Sequence, residues 1–193
     1  MKVTFVALAF NEVLSNRPLL DSLIMQSNPN WELIIYHNGT SAEMRSWANS
    51  YNDPRVRYYE TEVNNDNACL NRLDAINNLV TTEYIIQTSI QDYYLSWAVE
   101  LILNRLSQTK ADFCYWDSIN HLCGHEILIT KLEMSHIDWG NFCIPIESAK
   151  QIGIPGIQPS IRREDDWYTV EKGLQMNLFK NITKINNVLT IHN

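Results

Sequence analysis

Short apolar runs alternate with segments of helical periodicity along the first 110 residues of the chain. Apolar runs without polar alternation are typical of parallel strands that helices cover on both faces. The runs lie at residues 3–10, 31–37, 56–60 and 83–88. Apolar residues at helical spacing follow them at residues 18–26, 40–51, 68–80 and 95–106. The pattern therefore predicts four consecutive strand–helix units and a mostly parallel sheet.

Start signals mark the second and the fourth predicted helices. Thr40 and Glu43 in the run TSAE have the spacing of a capping box, so the second helix is expected to begin there. Ser96, or a residue beside it, is the expected cap of the fourth helix. Each signal lies after a buried strand, as a strand–helix unit requires.

The regular alternation stops after Lys110. A strand is predicted at 112–116, a short helix near 147–151, a helix at about 165–174 and a closing strand near 182–190. Gly and Pro cluster in the run IPIESAKQIGIPGIQPS, which indicates an irregular connection across the sheet. The sequence contains no linker long enough to separate two folding units. We therefore expect a single domain over residues 1–193, with a regular half at 1–110 and an irregular half at 111–193.

Composition and charge narrow the classes of partner. The chain has 193 residues, of which 45% are hydrophobic, and this is enough for a single core. The formal charge of -7 argues against general affinity for nucleic acid or anionic membranes, because no basic runs neutralise phosphates. The apolar run at residues 3–10 is too short to span a membrane. Four cysteines without a C-x-x-C pair favour reduced thiols in a cytoplasmic protein.

Polar residues collect where three of the predicted strands end. In an open parallel sheet, ligands bind beyond the carboxyl ends of the strands, where loops and helix N-termini converge. The residues at these ends are Phe10, Asn11 and Glu12 after the first strand, His37, Asn38, Gly39 and Thr40 after the second, and Thr88, Ser89, Gln91 and Asp92 after the fourth. Polar residues are common in any loop, but these share one edge of the sheet. We expect the binding site at this edge.

Four runs and one late histidine are the most informative motifs. The runs are VTFVALAFNE, PLLDSLIMQSNPNWELIIYHNGTS, TTEYIIQTSIQDYY and REDDWYTVEKG, and the histidine is His192. In this order they resemble family 2 glycosyltransferases with the GT-A fold, over nearly the whole chain. The resemblance implies a GT-A-like, Rossmann-like α/β protein with three α/β/α layers. It also implies that residues 1–110 bind a nucleotide sugar and that residues 111–193 form the acceptor and catalytic half.

The resemblance also implies an activity and its partners. Family 2 enzymes move a sugar from a nucleoside diphosphate sugar to an acceptor hydroxyl with inversion. We therefore expect an inverting, hexosyltransferase-like enzyme with a nucleotide-sugar donor and a glycan or other hydroxyl acceptor. The segment after the acidic run REDDW is short, so we expect an open acceptor cleft, or one completed by a homo-oligomer or a partner chain.

The acidic motif supplies the implied catalytic base. The residues that match the family's acidic motif are Glu164, Asp165 and Asp166. Aligning Trp167 with the family's Trp makes Asp165 and Asp166 the acidic pair and Asp166 the first choice for the base. The alternative is structural, because acids in a first helical turn complement the helix dipole by about 0.3–1 kcal/mol each.

A larger set of residues is assigned to substrate binding. These residues are Phe10, Asn11, Glu12, His37, Asn38, Gly39, Asn67, Arg72, Ser89, Gln91 and Trp139. His37 and Asn38 replace the two acids of the family's Asp-Asp-Gly-Ser, and the Asn38 amide can still bond a base or ribose. Arg72 is a candidate contact for the diphosphate, although a solvated helix arginine is the commoner outcome. Trp139 is a candidate for stacking on a sugar, with a buried core position as the alternative.

The metal site is the clearest departure from the family pattern. Ser89, Ile90 and Gln91 stand in the place of Asp-x-Asp, which leaves Asp92 as the carboxylate of this turn. Asp92 and His192 are the candidate ligands for Mn²⁺ or Mg²⁺, with donor phosphates supplying further ligands.

Three other interpretations stay open. The first is a catalytically inactive GT-A-like domain that binds nucleotide sugar, glycan or a protein partner, which the loss of Asp-x-Asp favours. The second is a metal-independent transferase whose positive charge comes from Arg72 or from the two arginines at 162–163. The third is a zinc site at His121, Cys123 and His125, although no second cluster in the sequence completes a tetrahedron.

Overall fold

The structure is a computed structural model that describes residues 1–10, 18–61, 69–120, 124, 126–154 and 165–192. Its strands are β1 (Val3–Ala9), β2 (Trp31–His37), β3 (Val56–Glu60), β4 (Tyr84–Ser89), β5 (Tyr93–Tyr94), β6 (Phe113–Asn120), β7 (Glu126–Leu128), β8 (Phe142–Pro145) and β9 (Ile182–His192). Its helices are α1 (Pro18–Ile24), α2 (Ala42–Ser50), α3 (Cys69–Asp74), α4 (Ala98–Thr109), α5 (Ile146–Ile152) and α6 (Asp165–Gln175). A π-helical turn at Ala75–Leu79 continues α3.

The nine strands found in these ranges join in one sheet. The strand order is β3-β2-β1-β4-β8-β6-β9-β5, with β7 paired to β6. Strands β3, β2, β1 and β4 are parallel to one another, and β6 is parallel to β9, whereas β8 runs antiparallel to both of its neighbours. The longest ladders are the parallel ones, which confirms the predicted mostly parallel α/β sheet.

Helices cover both faces of the sheet because neighbouring residues of a strand point to opposite sides. Phe5 of β1 lies in one core cluster with Leu20 of α1 and Ile102 of α4. Val6, the next residue of β1, lies in a second cluster with Ile76 and with Ala149 of α5. Both faces need apolar side chains, which explains the unbroken apolar run of this strand. The arrangement confirms the three α/β/α layers.

The sheet connects the two predicted halves of the chain. Strand β8 belongs to residues 111–193, yet it pairs with β4 of the first half and with β6 of the second. The backbone hydrogen bonds of β8 therefore join the two halves in one sheet. The single domain over 1–193, and the roles given to its halves, stay predictions.

Several predicted boundaries differ from the structure. The N-cap of α2 is Ser41, whose hydroxyl accepts from the Met44 amide, so the predicted cap at Thr40 is wrong by one residue. Helix α4 begins at Ala98, later than predicted, because Tyr93–Tyr94 pair with β9 as a strand. Strands β5 and β8 were not predicted, since their short runs gain partners that are distant in sequence.

Two further expectations concern membranes and thiols. No helix in the described ranges is long and apolar enough to cross a membrane. Cys69, Cys114 and Cys143 are buried free thiols, as expected for reduced cysteines. Burial raises the pKa of Cys114 to about 12, so this thiol is unreactive. Cys123 lies outside the described residues.

Candidate active site

The carboxyl ends of β1, β2 and β4 meet at one edge of the sheet. Leu8 of β1 pairs with Ser89 of β4, and the next residue, Ala9, pairs with His37 of β2. Phe10 follows directly and is 45% exposed. The residues predicted to bind substrate therefore follow strands that end side by side.

Hydrogen bonds within the turn after β2, and from it to Thr61 and Asn71, hold this turn in place. His37 Nδ1 lies 2.9 Å from the Gly39 carbonyl oxygen, and the Gly39 amide donates to Thr61 Oγ1 at 2.9 Å. Gly39 has a φ of +103°, a conformation that favours glycine. Asn38 is buried, and its amide oxygen accepts from Asn71 of α3 at 3.4 Å. Substrate contacts by His37, Asn38 and Gly39 stay predictions.

Asp92 is the fully buried centre of the turn after β4. Its Oδ2 atom accepts from the Thr88 hydroxyl at 2.6 Å and from the Ser89 amide at 2.9 Å. Its Oδ1 atom lies 2.8 Å from Nδ1 of His192, at the end of β9. These donors replace the water that a buried carboxylate has lost. The backbone amide of Gln91 donates to Ser89 Oγ at 3.3 Å and completes the turn.

A hydrogen-bonded layer behind Asp92 joins β5, β6 and β9. The Gly140 carbonyl oxygen lies 2.8 Å from the Tyr94 hydroxyl and accepts from Thr190 at 3.0 Å. Thr190 in turn accepts from Trp116 Nε1 at 2.8 Å. Gly140 has a φ of +93°, and a Cβ atom there would lie 3.1 Å from Asp92 Oδ2. Backbone conformation and close approach therefore both require glycine at this position.

We expect Gly140→Ala to destabilise the protein more than Gly124→Ala. Both glycines have positive φ, +93° and +76°. Each alanine therefore carries about 1–2 kcal/mol of backbone strain. Among the described residues, nothing lies within 4 Å of a methyl group at Gly124, whereas a methyl group at Gly140 crowds Asp92 and Tyr94. Urea unfolding should show at least about 1 kcal/mol of additional loss for Gly140→Ala. Equal losses in the two variants would contradict the crowding.

His192 lies between two carboxylates. Nδ1 faces Asp92, and Nε2 is 3.1 Å from Asp138 Oδ2. The Asp92 hydrogen bond is the main cause that raises the pKa of His192 to about 9; burial opposes it, and the charges of Asp138 and Asp166 reinforce it. Burial also raises the pKa of Asp138, which the charge of His192 partly offsets. The imidazole is therefore positively charged at neutral pH.

The protein is expected to lose stability as pH rises through about 9. The pKa of histidine in the unfolded chain is about 6.5. Because the folded protein raises this pKa, protonation of His192 stabilises the fold fully below about pH 6.5, and this stabilisation is lost as the pH rises through the folded pKa. A shift of this size corresponds to about 3 kcal/mol. Urea unfolding at about pH 6 and about pH 10 should show the stability gap between the unsubstituted protein and His192→Gln shrinking at the higher pH. A gap that stays equal would contradict the raised pKa.

Asp165, an acid of the acidic motif, is buried and hydrogen-bonded inside the protein. Asp165 begins α6 and is only 8% exposed. Its Oδ1 atom accepts from Trp139 Nε1 at 2.9 Å, and its Oδ2 atom accepts from the Cys69 thiol at 3.5 Å. Arg72 Nη1 lies 3.9 Å from the same Oδ2 atom. Three side chains therefore fix the orientation of this carboxylate.

Arg72 is not the solvated helix arginine that is commonest in such a position. It is 7% exposed, and its guanidinium carbon lies 4.7 Å from the centre of the Trp139 ring, at cation–π distance. Burial lowers the pKa of Arg72, and the charge of Asp165 opposes that effect. Within the described residues, its Nε atom has no hydrogen-bond partner. The predicted diphosphate contact of Arg72 and the predicted sugar contact of Trp139 stay predictions.

Asp166 is more accessible than its neighbour Asp165. Its side chain is half-buried, and its Oδ1 atom accepts from the Trp167 amide at 2.6 Å. Its charge raises the pKa of both Arg72 and His192, so it lies near the same cluster. The acidic pair thus consists of one buried, oriented acid and one partly exposed acid.

Asp138 also belongs to this cluster, although its pairing with His192 was not predicted. Its amide donates to Asn141 Oδ1 at 3.0 Å, which fixes the turn that carries it. The neighbouring Trp139 was a candidate, but nothing local identifies His192, far along the chain, as the partner of Asp138. Four candidates, Asn11, Glu12, Asn67 and Glu164, lie outside the described residues, as do the zinc alternative at His121, Cys123 and His125 and the arginines at 162–163.

Asp92 and His192 are the predicted ligands for Mn²⁺ or Mg²⁺. Asp92 is fully buried with both oxygens in hydrogen-bond contact, and each ring nitrogen of His192 faces a carboxylate oxygen. A histidine that donates from both nitrogens has no lone pair for a metal. The described residues contain no group of three or more His, Cys, Asp or Glu side chains that could hold an ion. As arranged, the pair does not fit a divalent ion, and the metal assignment stays a prediction.

The layered sheet and the acidic cluster at its edge define a GT-A-like α/β protein. A family model described as Glycosyl transferase family 2 matches residues 4–123, which is more than half of the chain. The chain therefore belongs to family 2 of the glycosyltransferases. A comparison with curated protein sequences finds no match.

Solved structures share the fold at low sequence identity. S. aureus TarS superposes with a TM-score of 0.81 at 13% identity, over 100% of this chain and 36% of TarS. TarS 1–349 in complex with UDP-GlcNAc gives a TM-score of 0.80 at 13% identity, over 99% of this chain and 58% of that one. The mannosyltransferase PcManGT from Pyrobaculum calidifontis, in complex with GDP-Man and Mn²⁺, gives 0.70 at 17% identity, over 99% and 56%. This chain spans less than two thirds of each of these proteins.

Proposed function

We propose that the chain transfers a hexosyl group from a nucleoside diphosphate sugar to an acceptor hydroxyl, with inversion at the anomeric carbon. The observation that carries this proposal is the division of the acidic pair on a family 2 scaffold. Asp165 is buried and oriented by Trp139 and Arg72, whereas the adjacent Asp166 is partly exposed. Because Asp165 fixes the start of α6, the carboxylate of Asp166 is well placed to act as a base that must contact the acceptor hydroxyl in one geometry.

In the proposed reaction, Asp166 accepts the proton of the acceptor hydroxyl. The acceptor oxygen forms a bond to the anomeric carbon while the bond from that carbon to the donor's diphosphate oxygen breaks. The nucleoside diphosphate leaves with the electron pair of the broken bond, and the proton stays on the carboxylate of Asp166. Asp165 is a positioning residue, since its own oxygens are held by protein donors.

The donor and acceptor are proposed from different observations. TarS has been solved with UDP-GlcNAc and PcManGT with GDP-Man, which supports a nucleotide-sugar donor. The nucleotide part of the donor would be held at the strand ends, by contacts from Phe10, His37, Asn38, Ser89 and Gln91. We expect a glycan or other hydroxyl acceptor, in a cleft completed by a second copy or by a partner chain.

One observation favours a second candidate, a non-catalytic domain that binds nucleotide sugar, glycan or a protein partner. The Asp-x-Asp position holds Ser89, Ile90 and Gln91, and the remaining carboxylate, Asp92, is fully buried and hydrogen-bonded inside the protein. The donor site therefore lacks the charged ligands that family 2 enzymes use, and a scaffold with this change can retain binding without turnover.

The test is a thermal-unfolding screen with UDP, GDP, dTDP and CDP, followed by transfer assays with the sugars of any nucleotide that binds. A nucleotide at 100 times its dissociation constant adds about 2.7 kcal/mol to the free energy of unfolding. Stabilisation together with release of nucleoside diphosphate from the matching sugar donor supports transfer. Stabilisation without turnover supports the non-catalytic binding domain. If none of the four nucleotides stabilises the protein, both the transferase and a domain that binds nucleotide sugar are contradicted.

A further inference from the structure

Strand β7 lies at an open edge of the sheet. It pairs with β6, and within the described ranges no other strand pairs with it. Glu126, its first residue, is paired with Asn120 of β6, and Asn120 is paired on its other side with His192 of β9. Strand β7 therefore begins at the edge of the sheet where the candidate site lies, and its outer side offers backbone groups to a further strand.

The exposed side chains in the middle of this segment are apolar. Ile127 is 62% exposed and Ile129 is 59% exposed. Residues two apart in an extended chain point to the same side, so these two form one apolar face. The edge strand β3 differs, because all of its residues are half-buried and they include Arg57 and Glu60. Charged residues of this kind protect an edge strand from pairing, and the centre of β7 has no such protection.

The charges at the two ends of the segment differ in sign. Glu126 precedes the two isoleucines and Lys131 follows them, and both charged residues are exposed. A second copy in antiparallel orientation brings the Lys131 end of one chain next to the Glu126 end of the other, at both ends of the pairing. A parallel copy would put like charges together, which is unfavourable. The segment is therefore complementary to itself, in charge and in apolar character, when the second copy runs antiparallel.

We infer that β7 pairs antiparallel with β7 of a second copy of this chain, about a two-fold axis at Leu128. In this register Ile127 of each copy lies opposite Ile129 of the other, and Glu126 lies next to Lys131. The sheet then continues from one copy into the other, and the second copy lies beside the strand ends that carry the candidate site. The pairing does not rest on the proposed function, because it depends on the edge strand alone.

So short a pairing makes a reversible dimer. Stable interfaces bury about 1,200–2,000 Å² in total, and a single pair of short strands buries less. We therefore expect a dissociation constant of about 10–100 µM. Sedimentation equilibrium of the unsubstituted chain, from about 5 µM to about 500 µM, should show a monomer that becomes a dimer. A chain that stays monomeric over this range has another partner or segment on this edge, and that result overturns the inference.

A charge exchange tests the orientation of the two copies. Glu126→Lys places like charges together at both ends of the dimer, so its dissociation constant should rise at least about tenfold. The double variant Glu126→Lys/Lys131→Glu restores opposite charges and should dimerise like the unsubstituted chain. Glu43→Lys makes the same change of charge on an exposed residue of α2 and should leave dimerisation unchanged. Failure of the double variant to recover overturns the antiparallel pairing.

The apolar face has its own matched pair of variants. Ile127→Lys should abolish the dimer, because a charged side chain would then lie opposite Ile129 of the other copy. Met25→Lys is the control, since Met25 is 63% exposed and lies in a different part of the chain; it should dimerise normally. Thermal unfolding verifies that each variant is folded, and Ile127→Ser replaces Ile127→Lys if the latter is not. A dimer that persists unchanged in the Ile127 or Glu126 variants uses another surface, and this result also overturns the inference.

Discussion

Asp166→Asn is expected to lower kcat for sugar transfer by about 10²–10⁴-fold, the usual effect of removing a general base. The amide has nearly the shape of the carboxylate, but it cannot take the proton of the acceptor hydroxyl. Asp166 is half-buried at the start of α6, so the substitution should leave the fold and nucleotide affinity little changed. Steady-state kinetics with the donor identified in the nucleotide screen provides the measurement, with thermal unfolding to verify folding.

Asp165→Asn is the matched control for this prediction. Asp165 is 8% exposed and accepts from Trp139 and Cys69 while facing Arg72. Its replacement should therefore lower the free energy of unfolding as well as turnover, whereas Asp166→Asn lowers turnover alone. Unchanged kcat in folded Asp166→Asn would remove the base role from this residue. The same result together with inactive, folded Asp165→Asn would move the role to Asp165.

The centre of the first half was predictable because β1, β2 and β4 are largely buried on both faces and therefore show mostly apolar runs. The predicted strand at 31–37 matches β2 (Trp31–His37). The predicted strand at 56–60 matches β3 (Val56–Glu60), although this edge strand is only half-buried. Strands β5 and β8 have no such local signal. They contain two and four residues, and they exist because β9, β4 and β6 offer them backbone partners.

Site residues at the ends of strands could be predicted from the sequence, whereas contacts that depend on the packing of distant elements could not. Asp92 and His192 were named together from motif order, and the structure brings them to 2.8 Å. The pairing of Asp138 with His192 was missed because it depends on the approach of β9, which no spacing in the sequence encodes. The orientation of Arg72 onto Trp139 likewise comes from the packing of α3 against a distant loop. Helical periodicity alone does not determine whether an arginine faces water or the interior.

Arg72→Met is expected to destabilise the protein by about 3–5 kcal/mol, because it leaves Asp165 buried without its cation. Met keeps a long apolar stem of similar reach but removes the guanidinium that lies over Trp139 and faces Asp165. Turnover should fall as well, since Asp165 loses one of the side chains that orient the acidic pair. Urea unfolding of the purified variant measures the first effect, and steady-state kinetics at a temperature where it is folded measures the second.

A double-mutant cycle identifies the cause of that loss. If the cost of Arg72→Met is the uncompensated charge of Asp165, then Arg72→Met in an Asp165→Asn background should cost much less, because the remaining amide is neutral. Arg45→Met is the control: its exposed pair with Glu60 should contribute little, because surface ion pairs are weak. Equal costs for Arg72→Met in both backgrounds would assign the loss to packing against Trp139. A cost no larger than that of Arg45→Met would mean that the buried arginine does not hold the acidic pair in place.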